Sequence, residues 1–435
     1  MLYFKSRAFG WTGQGSYLKF AAETAAECLH QMKLYTGIDY PINKCDNVGL
    51  PQFPAGAMEN YGLILYKYQL IPFNEDTMTT LERVEASRVI CHEVSHMWYG
   101  DLVTAKWWDN LFLNEGFAAY YMRYLMGKTF PDDADFVDST MLSLDREQAL
   151  KQDAGPTTHP LIAPDGPYFD SAFLNSFDSQ LPSVERNYVT KKATALIRML
   201  SDVMGPEVLQ AGVQHHLKSH EYGVASHAAY KANVQGWCGP LNVSHLMEPY
   251  SHQTSFPLVN VHFDKNGLTL SQETYNGPIP CPYKARNRWH VVSYASATYG
   301  RVFYDDESLK SVLEKIRSED VPLGVKITLV GDEVALIERQ ETKGLPYSYD
   351  RLLNVLTSVY NTPATEDPSF TLADLVLPQM EFFASLLRDS IDAPLINVIM
   401  EFYGIPIAMA MTYTGRIPAI LQQSFRKNLQ ALLMD

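Results

Sequence analysis

"CHEVSHMWYGDLVTAKWWDNLFLNEGFA", residues 91–118, is the stretch on which the fold and the chemistry turn. His92 and His96 stand four apart, and on a helix side chains at that spacing leave one face a turn apart, where they can share a metal ion. Glu93 lies between them. Adjacent helix positions diverge by about 100°, so its carboxylate is poorly aimed to be a further ligand but can contact a metal-bound water and act as general base. Glu115 falls near the start of a second expected helix, and the loop before it is long enough to fold back. Two imidazoles and one carboxylate leave a fourth position open for water, and these donors suit Zn2+ better than Mg2+ or Ca2+. The plain alternative is a set of ordinary polar residues on helix surfaces. Cys91, adjacent to His92, reads as a buried core thiol rather than another ligand.

The chain has 435 residues, 46% of them hydrophobic and 19% charged. That length and composition exclude disordered and fibrous classes and suit roughly two to four domains. A formal net charge of −14, with no Lys/Arg cluster, argues against nucleic acid or an anionic membrane as partner. Five scattered cysteines (Cys28, Cys45, Cys91, Cys238, Cys281) form neither a disulfide framework nor a CxxC metal site. The apolar stretch "APLINVIMEFYGIPIAMAMTYTG" (393–415) contains Glu401 and Pro406, so it reads as packed helices rather than a bilayer span. The opening "MLYFKSRAFG" lacks the layout of a secretory signal. Either the protein is cytosolic or its targeting segment is not in this chain. Asn242-Val243-Ser244 is a glycosylation sequon and leans toward an ectodomain.

From about Ser16 to Tyr250 the texture is mainly helical. A helix is predicted over 79–98, opening on the capping-box pattern Thr79-Thr80-Leu81-Glu82. A second helix runs through "NEGFAAYYMRYLM" and is expected to stop at Gly127. A loop-rich passage covers 153–187. At about Phe256 the period changes to alternation in "LVNVHFDKNGLTLSQ", with a hairpin turn at Asn266-Gly267. Further strands are expected around "RWHVVSYAS" and "YGRVFYD", closing a small β domain near residue 310, and helical periodicity returns from "SLKSVLEKI" to the final "QSFRKNLQALLMD".

Upstream of the histidines lies "GAMEN", residues 56–60. Together with "HEVSH" and "NEGFA" it resembles the aminopeptidase N family of zinc exopeptidases, and the similarity extends through "YPINKCDNVGLPQFPAGAMENYGLILY" and "YGRVFYDDES". The resemblance implies a multidomain α+β protein: a thermolysin-like, mainly α catalytic domain over 14–252, a β-sandwich over 253–310 and an α-helical C-terminal domain over 311–435. It also implies a preceding N-terminal β domain, of which residues 1–13 look like a remnant. With the helical domain shorter than the resemblance implies, a fragment or partial gene model is expected.

The resemblance assigns one Zn2+ to His92, His96 and Glu115. It gives Glu59 the task of binding the substrate's free α-amine, which fits because a desolvated ammonium needs a carboxylate partner. Otherwise Glu59 reads as an exposed acidic turn residue. Gly56, Ala57, Met58 and Asn60 complete the substrate-binding stretch, where small residues let a backbone lie along the substrate like an added strand. The family also stabilises the oxyanion with a tyrosine in a Tyr-x-Lys-Gly-Ala segment before a helix ending Arg-Met-Leu. Here "NYVTKKATALIRML" offers Tyr188, two residues further from Lys192-Ala193 than that pattern, with the motif glycine replaced. The alternative is a loop aromatic displaced from the site.

The expected function is zinc-dependent hydrolysis of the N-terminal peptide bond of peptides with a free α-amine, with water activated by zinc and Glu93 as general base, then acid. Competing readings are a catalytically silent binding or receptor ectodomain, the leukotriene-A hydrolase branch, which typically has Gly in place of Ala57, and a thermolysin-type endopeptidase, which has no use for Glu59. The expected partners are peptides with a free N-terminus, with a homodimer possible for the full-length protein. A membrane-anchored extracellular ectodomain is preferred over a cytoplasmic enzyme.

Overall fold

The computed structural model describes residues 5–360, apart from 54, 79, 135–136, 138–141, 156–157, 163–183, 236–241, 265–266, 277–297, 319–320 and 347–348. Its architecture mixes helices with several small sheets. Contacts divide the chain into two compact units. The first holds residues up to Pro257 with 274–279 and 297–300, and the second holds the rest.

The first unit opens with β1 (Lys5–Phe9), α1 (Lys19–Thr36), β2 (Lys44–Leu50), β3 (Ala57–Met58) and β4 (Leu63–Lys67). They form a sheet in the order β1-β2-β4-β3, in which β1, β2 and β4 run parallel and β3 pairs antiparallel with β4. This sheet was not foreseen within the mainly helical texture expected after Ser16, which the helices of this unit bear out. β2, "KCDNVGL", contains few β-branched residues, so propensity says little about it. Polar contacts hold it in place: Arg7 donates to Asp46 at 2.6 and 2.9 Å, and Tyr66 donates to the buried Asn47 at 2.9 Å.

The helices follow as α2 (Thr80–His96), α3 (Phe112–Thr129), α4 (Leu142–Asp153), α5 (Val184–Met204), α6 (Pro206–Ser219), α7 (His227–Gln235) and α8 (Val243–His252). Two short parallel strands, β5 (Val103–Ala105) and β6 (Gly223–Ala225), pair beside them. The predicted helix over 79–98 is found over 80–96; the capping residue Thr79 lies outside the described residues. α3 does not stop at Gly127. That glycine stays helical, and the helix ends where Phe130, extended at φ −129° and ψ 77°, precedes Pro131 and is barred from continuing. α5 already begins at Val184, inside the passage expected to be loop.

Cys28 on α1 and Cys91 on α2 are paired as a disulfide, with Cα atoms 5.8 Å apart, a normal span for the bond. Cys91 is buried as expected but is not a thiol, and the pair corrects the reading of the cysteines as forming no disulfide. The two are 63 residues apart, and only the packing of α1 on α2 brings them together. Cys45 is buried and unpaired by disulfide.

The second unit contains β7 (Pro257–Asp264), β8 (Gly267–Thr274) and β9 (Arg301–Tyr304), then α9 (Asp306–Ser318), α10 (Leu323–Thr342) and α11 (Tyr349–Tyr360). The strand order is β8-β7-β9, with β7 and β9 parallel. β7 and β8 are the expected hairpin pair, although Asn266 and the strand expected at 288–296 lie outside the described residues. Leu309, Leu313 and Ile316 of α9, Ile327 and Val330 of α10, and Val355 and Val359 of α11 bury one core with Val261 and Val302. Among the described residues no helix is long and apolar enough to cross a membrane; 393–415 and the final helical segment lie outside them.

Candidate metal centre

Four turns of α2 carry His92, Glu93 and His96 into the interior. Burial at this end is nearly complete: His96 is 1% exposed and Glu93 6%. His92 and His96 present their Nε2 atoms to each other at 3.1 Å. The tautomer of His96 follows from its other nitrogen, because Nδ1 lies 2.9 Å from the Tyr99 carbonyl and must donate to it, leaving Nε2 free to ligate.

The chain then turns back sharply. Gly100 has φ +137°, a conformation that L side chains rarely adopt, and a Cβ there would meet His96 Nδ1 at 3.3 Å. β5 pairs with β6, and two asparagines pin the remaining loop: Asn110 accepts from the His227 backbone N–H at 2.8 Å, and Asn114 accepts from Ala105 at 3.2 Å. This return sets Glu115 in the first turn of α3, with Oε2 3.4 Å from His92 Nε2 and Oε1 3.9 Å from His96 Nε2. The three side chains form the one cluster of metal-ligating type among the described residues.

Donors about 2.0–2.2 Å from a tetrahedral ion lie about 3.3–3.6 Å from one another. The separations of 3.1, 3.4 and 3.9 Å straddle that range, close enough for the three side chains to share one such ion. A further observation agrees: Glu93 Oε2 is buried with no hydrogen-bond partner, the condition of a carboxylate that awaits a group absent from the protein itself.

The electrostatics follow from so many carboxylates in a buried space. Burial, joined by the charges of Glu59, Glu115 and Asp101 and opposed by His96, pushes the Glu93 carboxyl well above its ordinary range. Burial pulls His92 below the usual imidazole value. For His96 the penalty of burial is outweighed by Glu59, Glu115 and Glu93, and its pKa is pushed up to about 9.

Glu59 joins this group from the sheet. β3 is the last strand in its sheet, so one backbone edge is left unpaired within it, and the residue after β3 is Glu59. Its Oε1 lies 3.7 Å from His96 Nδ1, with the side chain 17% exposed. Gly56, Met58 and Asn60 are exposed along the same stretch and Ala57 is half-buried. Tyr188 is carried by α5, and its side chain lies outside the described residues.

Sequence reasoning missed Asp101. Its carboxyl is pushed up to about 7, by burial first and then by Glu59, with His96 opposing, and its Oδ2 has no hydrogen-bond partner. The signal was an acidic residue directly after the glycine that ends the histidine turn.

Helix-borne imidazoles, one folded-back carboxylate and a buried carboxylate between them define a candidate mononuclear metal centre. A model of the peptidase family M1 domain matches residues 20–250, and the chain belongs to that family. It is 36% identical to "Putative aminopeptidase-2" of Caenorhabditis elegans over 92% of this chain and 23% of that protein. It is 31% identical to "Alanine/arginine aminopeptidase" of Saccharomyces cerevisiae over 62% of this chain and 30% of that protein. With "Aminopeptidase N" of Haemonchus contortus it shares 29% identity over 59% of this chain and 26% of that protein. The match thus spans less than a third of each of these relatives.

Proposed function

We propose that this chain carries the catalytic centre of a zinc aminopeptidase that removes single residues from peptides with a free α-amine. The observation that carries the reading is the position of Glu59, at the end of an edge strand and 3.7 Å from a histidine of the ligand cluster. His92, His96 and Glu115 hold the zinc. When bound, the ion supplies Lewis acidity toward the scissile carbonyl and lowers the pKa of water beside it.

The remaining steps belong to the protein's own side chains. Glu59 pairs the ammonium of the substrate and fixes how far the chain end enters, so the first peptide bond is the one presented. The open edge of β3 supports an extended substrate docking as a further strand. Glu93 takes the proton from the attacking water and returns it to the leaving amine. Burial favours keeping a proton on Glu93, and a divalent cation nearby acts in the opposite sense. The oxyanion role falls to α5, which carries Tyr188.

We read the surrounding architecture as a thermolysin-like domain over 14–252, a β-sandwich over 253–310 and a helical domain over 311–435. The full-length protein is proposed to be a membrane-anchored ectodomain acting as a homodimer. The test of the activity is fluorophore release from free and N-acetylated aminoacyl amides, with and without a zinc chelator. The expected outcome is cleavage of the free amide alone, abolished by the chelator. Equal cleavage of both substrates rejects the exopeptidase reading, and cleavage of neither, with zinc bound, marks a binding protein.

A further inference from the structure

α5 crosses α3 at very close range just beyond Glu115. A Cβ built on Gly116 would fall inside the contact radius of Ala193 Cβ, which is side chain anchored to backbone and cannot swing away. Only glycine at 116 lets the two helices approach this closely. Thr194 binds across the crossing: its hydroxyl donates to the Thr190 carbonyl at 2.7 Å and lies 3.4 Å from the Gly116 carbonyl.

One turn earlier on the same face of α5 stands Thr190. Its Oγ1 lies 3.5 Å from Glu115 Oε2, the same oxygen that faces His92 Nε2. Positions two apart on a helix differ by about 200° round its axis, and Lys192 accordingly leaves on another side, to Asp153 at 2.8 Å. Tyr188 occupies a helix position offset from Thr190 by the same angle.

We propose that Thr190 is the positioning residue of Glu115: its hydroxyl donates to Oε2 and orients the carboxylate toward the two imidazoles. The proposal rests on His92, His96 and Glu115 being zinc ligands. Glu115 is about a third exposed on its side chain, so without restraint it has rotamers to lose on ligation. Hydrogen bonds to ligating carboxylates typically change metal affinity by about 10–100-fold.

The experiment measures zinc affinity of the full chain by competition with a chromophoric chelator, and the visible spectrum of the cobalt-loaded form. Thr190→Val keeps the shape and removes the hydroxyl, while Thr190→Ser keeps the hydroxyl. The expected result is a loss of about 10–100-fold in affinity for Thr190→Val, an altered cobalt spectrum, and a return to wild-type values in Thr190→Ser. Wild-type affinity and an unchanged spectrum in Thr190→Val overturn the proposal. Should that variant fail to fold, Thr190→Ala, which adds no bulk, makes the same comparison. A wild-type chain that binds no zinc removes the metal reading itself, a failure distinct from a wild type that binds and a variant that binds equally well.

Discussion

Among the carboxylates buried in the first unit, Glu93 and Asp153 have opposite surroundings. Asp153 is fully enclosed and fully satisfied. Its Oδ1 accepts from the Thr158 hydroxyl at 2.7 Å and the Ser255 N–H at 2.9 Å, and its Oδ2 accepts from Lys192 at 2.8 Å and the Tyr299 hydroxyl at 3.0 Å. Lys192 is also buried and stands over the Tyr299 ring. Glu93 has an oxygen with no partner, and its neighbours are mostly other carboxylates. A buried charge with every lone pair engaged holds helices and loops together; one left short is poised for a proton or an ion.

Glu93→Gln sharpens the contrast most. The variant is expected to keep its zinc and its thermal stability while kcat falls by about 10²–10⁴-fold, the usual worth of a general base; full activity would sink the role given to Glu93. Asp153→Asn should do the reverse. Removing one partner of a buried pair costs about 3–5 kcal/mol, read as a lower midpoint in urea, with turnover per folded molecule unchanged. An unchanged midpoint would show that the pair is not structural.

The smallest effect concerns pH. His96, pushed up to about 9 by its carboxylate neighbours, carries a proton near neutrality that a metal must displace. Zinc affinity should therefore rise with pH, by about tenfold per unit below pH 9 for one displaced proton, and level off above it. Burial already keeps His92 neutral, so that imidazole adds no proton to the slope. Flat affinity from about pH 6 to 9 would contradict the charge balance set by Glu59, Glu115 and Glu93.

Much of the candidate centre was legible because it is local. The four-residue spacing of His92 and His96 becomes one face of α2 whatever surrounds it, and the β7/β8 hairpin likewise announced itself by alternation. β2 was illegible for the opposite reason: its strand state comes from partners at Arg7 and Tyr66, not from its own propensity. Asp101 and Thr190 carry no motif of their own, and only their neighbours give them weight.

The chain by itself determined which donors exist, since side-chain chemistry and a 3.6-residue period act within one helix turn. Tertiary structure alone decided that Glu115 returns to those donors, that Gly116 admits α5 close enough for Thr190 to reach it, and that Cys28 meets Cys91. Contacts across 19, 75 or 63 residues depend on how helices pack, and packing is a property of the whole buried core rather than of any spacing within it.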